Sequence, residues 1–193
     1  MKSGRFTKLY KRKESLKTNY GKRLKILKSR KTRLVIRRSL NGLTVQFVNY
    51  NPKGDLVLLS VNSKSLRKLG WKFHLGNVPS AYLTGLLCGI KSKDKNIEEA
   101  VLDLGAKKTV SGSVLYAALK GVLDAGIKVP HDKKILPSND AVSGKNVIKL
   151  SEHLKKDSNK FNKQFSSYIK NNVNINNIEK DFNETKKKII GNK

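Results

Sequence analysis

Phosphate chemistry dominates the first 38 residues. They hold 16 lysines and arginines and a single acid, Glu14. Arg5, Lys8, Lys11, Arg12, Lys13, Lys17, Lys22, Arg23, Lys25, Arg30 and Arg33 can neutralise the phosphates of a polyanion and release its counterions. The arginines can in addition fork onto phosphate oxygens or stack on a base. Phe6, Tyr10 and Tyr20 are interleaved with them; such rings either stack on unpaired bases or tuck the arm against its own domain. A plain solvated charge run is the competing reading, but one acid among 16 cations exceeds what solubility requires. Two further basic points follow. "LGAKKTVSGS", residues 104–113, has Lys107 and Lys108 beside small residues that expose backbone N–H groups ahead of a helix, a combination able to hold a phosphate but also shared by ordinary loops. Arg37, Arg38, Asn41 and Gln46 cluster around a strand turn and form a third candidate surface.

Catalytic chemistry finds less support. Asp103 ends an apolar run, with Asp124, Glu98 and Glu99 as conceivable partners. A two-metal nuclease needs several carboxylates converging on Mg²⁺, and where such a sheet would place one, the first strand carries Arg37 and Arg38. Asp103 therefore reads first as a residue that turns the chain at a strand end. His74, His131 and His153 are scattered, without HExxH or GxSxG spacing, and no GxxxxGK[ST] or GxGxxG follows a strand. The expectation is no enzyme, no cofactor and no metal, with a metal-dependent nuclease centred on Asp103 as the rival.

The formal net charge is +28, from 42 Lys+Arg against 14 Asp+Glu among 193 residues. That much like charge repels itself in a compact domain and implies a polyanionic partner. A membrane surface would require an insertion helix, a lipidation motif or a long apolar span, and none is evident. The start lacks the apolar segment of a secretory signal, so a cytoplasmic protein is expected. With 37% apolar residues the chain can bury one core of roughly 100 residues. Cys88, the single cysteine, reads as a small buried hydrophobe.

The elements that must position these groups are legible from pattern. Leu16, Tyr20, Leu24 and Leu27 recur at helical spacing, which predicts an arm helix docked by that seam with its cations outward. Strands are predicted at 33–39, 43–50 and 56–62, with a hairpin turn at Asn41-Gly42. "NSKSLRKLG" predicts a short helix ended by Gly70, and Asn77 with Pro79 starts a helix running to about Lys91. In that helix Gly85 and Gly89 share one face and are expected to let it lie close to the sheet. A buried strand at 98–105 and a helix at 111–126 stopped by Gly126 follow. The fold class is α/β: a mixed sheet of three antiparallel strands, then helix, strand, helix. The organisation is a basic arm with a helix (1–32), the α/β core (33–130), and a loop with a Lys/Asn-rich helical tail (131–193) of loose order.

"YGKRLKILKSRKTRLVIRRS", "GNVPSAYLTGLL", "EEAVLDLG" and "DAGIKVPH" resemble the archaeal and eukaryotic-type family of large-subunit ribosomal protein eighteen, number five in eukaryotic naming, which binds 5S ribosomal RNA. The similarity runs in order from about Arg5 to Ile190. It implies a non-catalytic component of the central protuberance whose partners are 5S ribosomal RNA, large-subunit RNA and neighbouring ribosomal proteins. It also places the RNA surface on the arm, the hairpin near Arg37 to Gln46 and the loop at Lys107 and Lys108. The length, without the long extension of eukaryotic members, points to an archaeal-type protein. A non-specific nucleic-acid-binding protein is the remaining alternative.

Overall fold

The computed structural model describes residues 8–107 and 109–191. In chain order it contains α1 (Lys11–Glu14), α2 (Tyr20–Leu27), β1 (Arg33–Arg38), β2 (Leu43–Asn49), β3 (Leu56–Asn62), a 3₁₀ helix (Ser63–Leu69), α3 (Val78–Lys93), β4 (Val101–Asp103) and α4 (Val114–Asp124). Four further α-helices follow, α5 (Asn139–Ser143), α6 (Lys145–Leu154), α7 (Ser158–Lys170) and α8 (Ile178–Gly191), with short 3₁₀ turns at Lys133–Ile135 and Ile175–Asn177.

The sheet order is β3-β2-β1-β4, with β1, β2 and β3 antiparallel and β4 parallel to β1. This is the expected mixed sheet. Strand alternation divides its residues between two faces. Leu34, Ile36, Val45 and Phe47 are fully buried beneath the helices, while Thr44 and Gln46 lie on the wetter face. A register shift at Phe47/Val48 breaks the alternation, so both of those residues are buried.

Local chemistry explains the helix ends. Asn77 Oδ1 accepts the Ser80 N–H at 2.9 Å and Pro79 sits in the first turn of α3. Gly70 closes the 3₁₀ helix at φ 96 and Gly126 ends α4 at φ 101, left-handed conformations that glycine adopts without a Cβ penalty. The β1–β2 turn differs from expectation by one residue. Ser39 N–H donates to Gly42 O at 2.9 Å, so Leu40 and Asn41 form the tip, neither with positive φ.

Gly85 and Gly89 serve a different neighbour from the one expected. A Cβ on Gly85 would collide with the Ala118 carbonyl oxygen, and one on Gly89 would sit 2.5 Å from the Ala125 Cβ. Both neighbours belong to the α4 segment. Gly121 of α4 answers in kind, its missing side chain making room for the Tyr82 carbonyl oxygen. The glycines thus bring α3 against α4, and the bulkier Leu83, Leu86 and Cys88 fill the core.

The C-terminal segment is built into that same core. Ile178, Phe182 and Ile189 of α8 are 0%, 5% and 1% exposed, and the Phe182 ring meets Tyr82 of α3 at 5.7 Å between centroids. At about 2 kcal/mol for each such buried side chain, docking outweighs freedom for this helix. Lys188 also donates to Leu69 O at 3.2 Å. Residue 130 therefore marks no boundary in packing.

Candidate nucleic-acid interface

The arm begins with one helical turn, Lys11–Glu14, which presents Lys11, Arg12 and Lys13 together. Arg12 Nε donates to Thr18 Oγ1 at 3.0 Å across the bend. Leu16 interrupts the helix at φ 53 and is 83% exposed. α2 then starts at Asn19, whose side chain accepts the Lys22 N–H at 3.0 Å. Tyr10 and Tyr20 pack on each other, ring centroids 5.4 Å apart, and Tyr10 remains 74% exposed. Phe6 lies outside the described residues, as do Arg5 and Lys108.

Of the predicted apolar seam only Leu27 is turned inward. Leu24 is 61% exposed and Tyr20 37%, whereas Arg23, Ile26 and Leu27 are the less exposed residues of α2. The reason is electrostatic. Arg23 Nη2 grips both oxygens of Asp55, at 2.9 and 2.8 Å. An apolar stripe alone does not fix the rotation of a short helix when a carboxylate sits beneath it.

Asp55 is the second acid met along the chain, after Glu14 and before Asp94, and it starts an alternating chain of charges. Its Oδ2 lies 2.6 Å from Arg33 Nη2 as a close ion pair. Arg33 Nη1 donates to Asp103 Oδ2 at 3.1 Å. The other oxygen of Asp103 accepts from Arg37 Nη2 and from the Gly105 N–H, both at 2.9 Å. Arg37 Nη1 also reaches Asp103 O at 2.6 Å. Gly105, at φ 68, has no Cβ to push the Arg37 guanidinium away. Burial by itself raises the Asp103 carboxyl, but Arg37, the Gly105 N–H and Arg33 together hold it below the usual carboxylate range. Asp55 behaves alike: partial burial raises its carboxyl, and Arg33 and Arg23 outweigh that effect.

Two expected roles change in consequence. Arg33 is 2% exposed, and its charge is spent on Asp55 and Asp103, so it is not a surface contact. Asp103 has both oxygens occupied by arginines and a backbone amide, and among the described residues no other carboxylate is grouped with it as a metal ligand set. Among the described residues, no three His, Cys, Asp or Glu side chains are grouped to hold a metal ion.

The remaining cations are exposed. Lys8, Lys11, Arg12, Lys13, Lys17, Lys22, Lys25 and Arg30 form no ion pair among the described residues. Lys22 Nζ instead lies 3.5 Å from Gly105 O, which links arm to loop. Arg12, Lys17, Lys22 and Arg23 share a crevice of about 110 Å³ with Arg37, Asp103 and Gly105. Arg38 of the hairpin and Lys107 of the loop face a second cleft of about 530 Å³. Arm, hairpin and loop, separate in sequence, thus adjoin. Asn41 is exposed at the hairpin tip. Gln46 stands apart, its amide donating to Ser60 Oγ at 3.1 Å in a cross-strand pair.

Sequence reasoning missed Asp55 and Leu40, and took Val110 and Ser113 only as part of the 104–113 loop. A signal existed for the first: Asp55 is the one acid between residues 15 and 93, in a stretch crowded with arginines. None marked the others, because they meet only through folding.

The family described as ribosomal large subunit proteins 60S L5 and 50S L18 matches residues 4–98 and 89–132. The large ribosomal subunit protein uL18 of Methanococcus maripaludis is 42% identical over 188 residues, spanning 97% of each chain.

Proposed function

Because the chain belongs to the uL18/L5e family of large-subunit ribosomal proteins, a structural, RNA-binding and non-enzymatic family, we propose that its RNA partner is 5S ribosomal RNA. In this reading the protein fastens 5S RNA to large-subunit RNA at the central protuberance. Residues 1–32 are the main anchor, residues 33–130 the scaffold that presents hairpin and loop, and residues 131–193 the side turned toward neighbouring ribosomal proteins.

One observation carries the reading. Lys8, Lys11, Lys13, Lys17, Lys22 and Lys25 of the arm, unlike Arg23, Lys31 and Arg33, have no carboxylate partner among the described residues, and Lys17 and Lys22 share a crevice with Arg37. Such a surface neutralises phosphates regardless of sequence. Selectivity must then come from the shape of the RNA and from its loops, because side chains cannot enter the deep groove of an A-form helix.

Fluorescence anisotropy with 5S RNA over a salt series tests the proposal. Log K should fall by roughly 0.7 to 0.9 per phosphate contact per log unit of salt. Replacing Lys11, Lys13 and Lys17 by glutamine should shallow the slope by about 2 to 3. A flat titration removes the electrostatic account. Equal affinity for duplex DNA and 5S RNA at the same salt would favour the non-specific alternative instead.

A further inference from the structure

A cleft of about 380 Å³ opens between α6 and α7 of the C-terminal segment and the chain that joins the 3₁₀ helix to α3. No residue of the arm, the hairpin or the 104–113 loop lines it. Its floor is apolar. Phe165, 4% exposed, stacks on Tyr168 with ring centroids 6.0 Å apart, and Tyr168 meets Phe73 edge-on at 5.7 Å. The Tyr168 hydroxyl accepts the His74 N–H at 3.2 Å. With these rings engaged on one another, the apolar surface left open is aliphatic: Val147, half-buried, and Leu150, 44% exposed.

The rim carries cations and amides. Arg67 Nη1 donates to the Trp71 and Lys72 carbonyl oxygens at 3.2 and 2.8 Å, which orients the guanidinium, and Lys72 lines the same cleft. Neither side chain forms an ion pair among the described residues. No acidic side chain lines the cleft among the described residues. Gln164 and Asn171 add side-chain amides, groups that both donate to and accept from peptide bonds.

We propose that this cleft docks an acidic-aliphatic segment of a neighbouring large-subunit protein, with an aliphatic side chain on Val147 and Leu150 and an adjoining carboxylate at Arg67 and Lys72. The inference rests on the reading of residues 131–193 as the side turned toward neighbouring proteins, and adds where that contact is made and by what chemistry. Charge complementarity selects the acid, since two cations here lack any carboxylate of their own chain. RNA fits less well. A strand without pairing binds by stacking its bases on open rings along a charged groove, and here Phe165 is buried and the open surface is branched. The volume suits a short stretch of peptide.

The test uses large subunits assembled with Gln164→Cys carrying a benzophenone on the thiol. The native Cys88 is 0% exposed, so position 164 takes the label. A second label at Asn183→Cys, an exposed position of α8, reports on the tail in general. Irradiation and peptide sequencing should place the position-164 cross-link on one segment of one neighbouring protein, with Asp or Glu beside Leu, Ile or Val. Adding Leu150→Asp should lower that cross-link roughly tenfold, the loss expected for one half-buried aliphatic contact, with the position-183 product unchanged. Lys72→Gln, at an exposed side chain, is the milder second variant, with a roughly fivefold loss expected. Cross-links from position 164 to RNA, to a segment without acids or to nothing overturn the cleft assignment, as does either variant cross-linking undiminished. If position 183 still finds protein in those cases, the reading of the tail stands and the cleft alone fails. RNA or nothing at both positions ends both.

Discussion

Replacing Gly85 by alanine sets two effects of known size against each other. Alanine is the better helix former by about 1 kcal/mol, so in isolation α3 would gain. The added Cβ would meet the Ala118 carbonyl oxygen well inside contact distance and stand 2.8 Å from the Ala118 carbonyl carbon. Ala118 is 0% exposed in the middle of α4, so backbone, not a flexible tip, must yield. Restoring ordinary contact requires the helices to part by more than about 1 Å, enough to forfeit about half or more of each dispersion contact along the seam. Overpacking of this kind costs about 3 kcal/mol. The net expectation is a loss of about 2 kcal/mol, which for a chain this size lowers the thermal midpoint by about 4 to 8 °C. Circular dichroism melts at constant ionic strength measure it. Gly21→Ala is the control, since in α2 the nearest atom to its Cβ would be Asn19 Oδ1 at 3.5 Å; it should cost nothing. A Gly85→Ala protein as stable as Gly21→Ala would refute the close crossing of α3 and α4.

Other perturbations bear on the charge chain. Asp103→Asn leaves Arg33, 2% exposed, with one carboxylate partner fewer, and should destabilise by about 3 kcal/mol in urea titrations; Mg²⁺-dependent RNA cleavage lost in that variant would instead revive the nuclease. The carboxyls of Asp55 and Asp103 are held low in the folded state, so they stabilise fully above the unfolded carboxylate value of about 4 and progressively less as pH falls below it. The urea midpoint should drop on acidification, and the drop should shrink in Asp103→Asn. Arg33→Ala should lower the thermal midpoint far more than it changes RNA affinity per folded molecule, whereas Lys13→Ala should do the reverse; equal effects from both would show that burial does not separate their roles. Deleting residues 1–30 removes the exposed Arg23–Asp55 pair but leaves Asp55 with Arg33, so the core should lose only about 1 kcal/mol while RNA affinity collapses.

Much of the fold was legible because its signals are local. Asn77 with Pro79, and Gly70 and Gly126, act through backbone groups within a few residues, and each ends an element where the sequence predicts. The hairpin was right in kind but off by a residue, because the Ser39–Gly42 pairing, not the Asn-Gly preference, sets the tip. Gly85 and Gly89 announced a close approach without naming what approaches, since a missing side chain carries no information about its partner. The arm's apolar seam misled for a related reason: eight residues of helix have too little apolar surface to outvote the Arg23–Asp55 pair. Likewise the tail reads as loose because its apolar residues are sparse, and only the fold reveals that Ile178, Phe182 and Ile189 converge. Of the candidate surface, the arm was plain from charge. The joining of hairpin and loop, and the withdrawal of Arg33, depend on contacts 66 to 70 residues apart.

The docking of α8 also has a consequence in time. Ile178, Phe182 and Ile189 complete the core around Tyr82, yet they follow every other core residue in chain order. A nascent chain emerging N-terminus first displays its cationic arm early. It cannot close its interior until α8 has appeared; at 5–20 residues per second that interval lasts roughly ten seconds or more. During it an uncovered apolar face coexists with a strongly basic segment, in a cell crowded with nucleic acid. Newly made molecules are therefore most exposed to aggregation before α8 arrives, and a companion that shields the arm or that face would matter most at that stage.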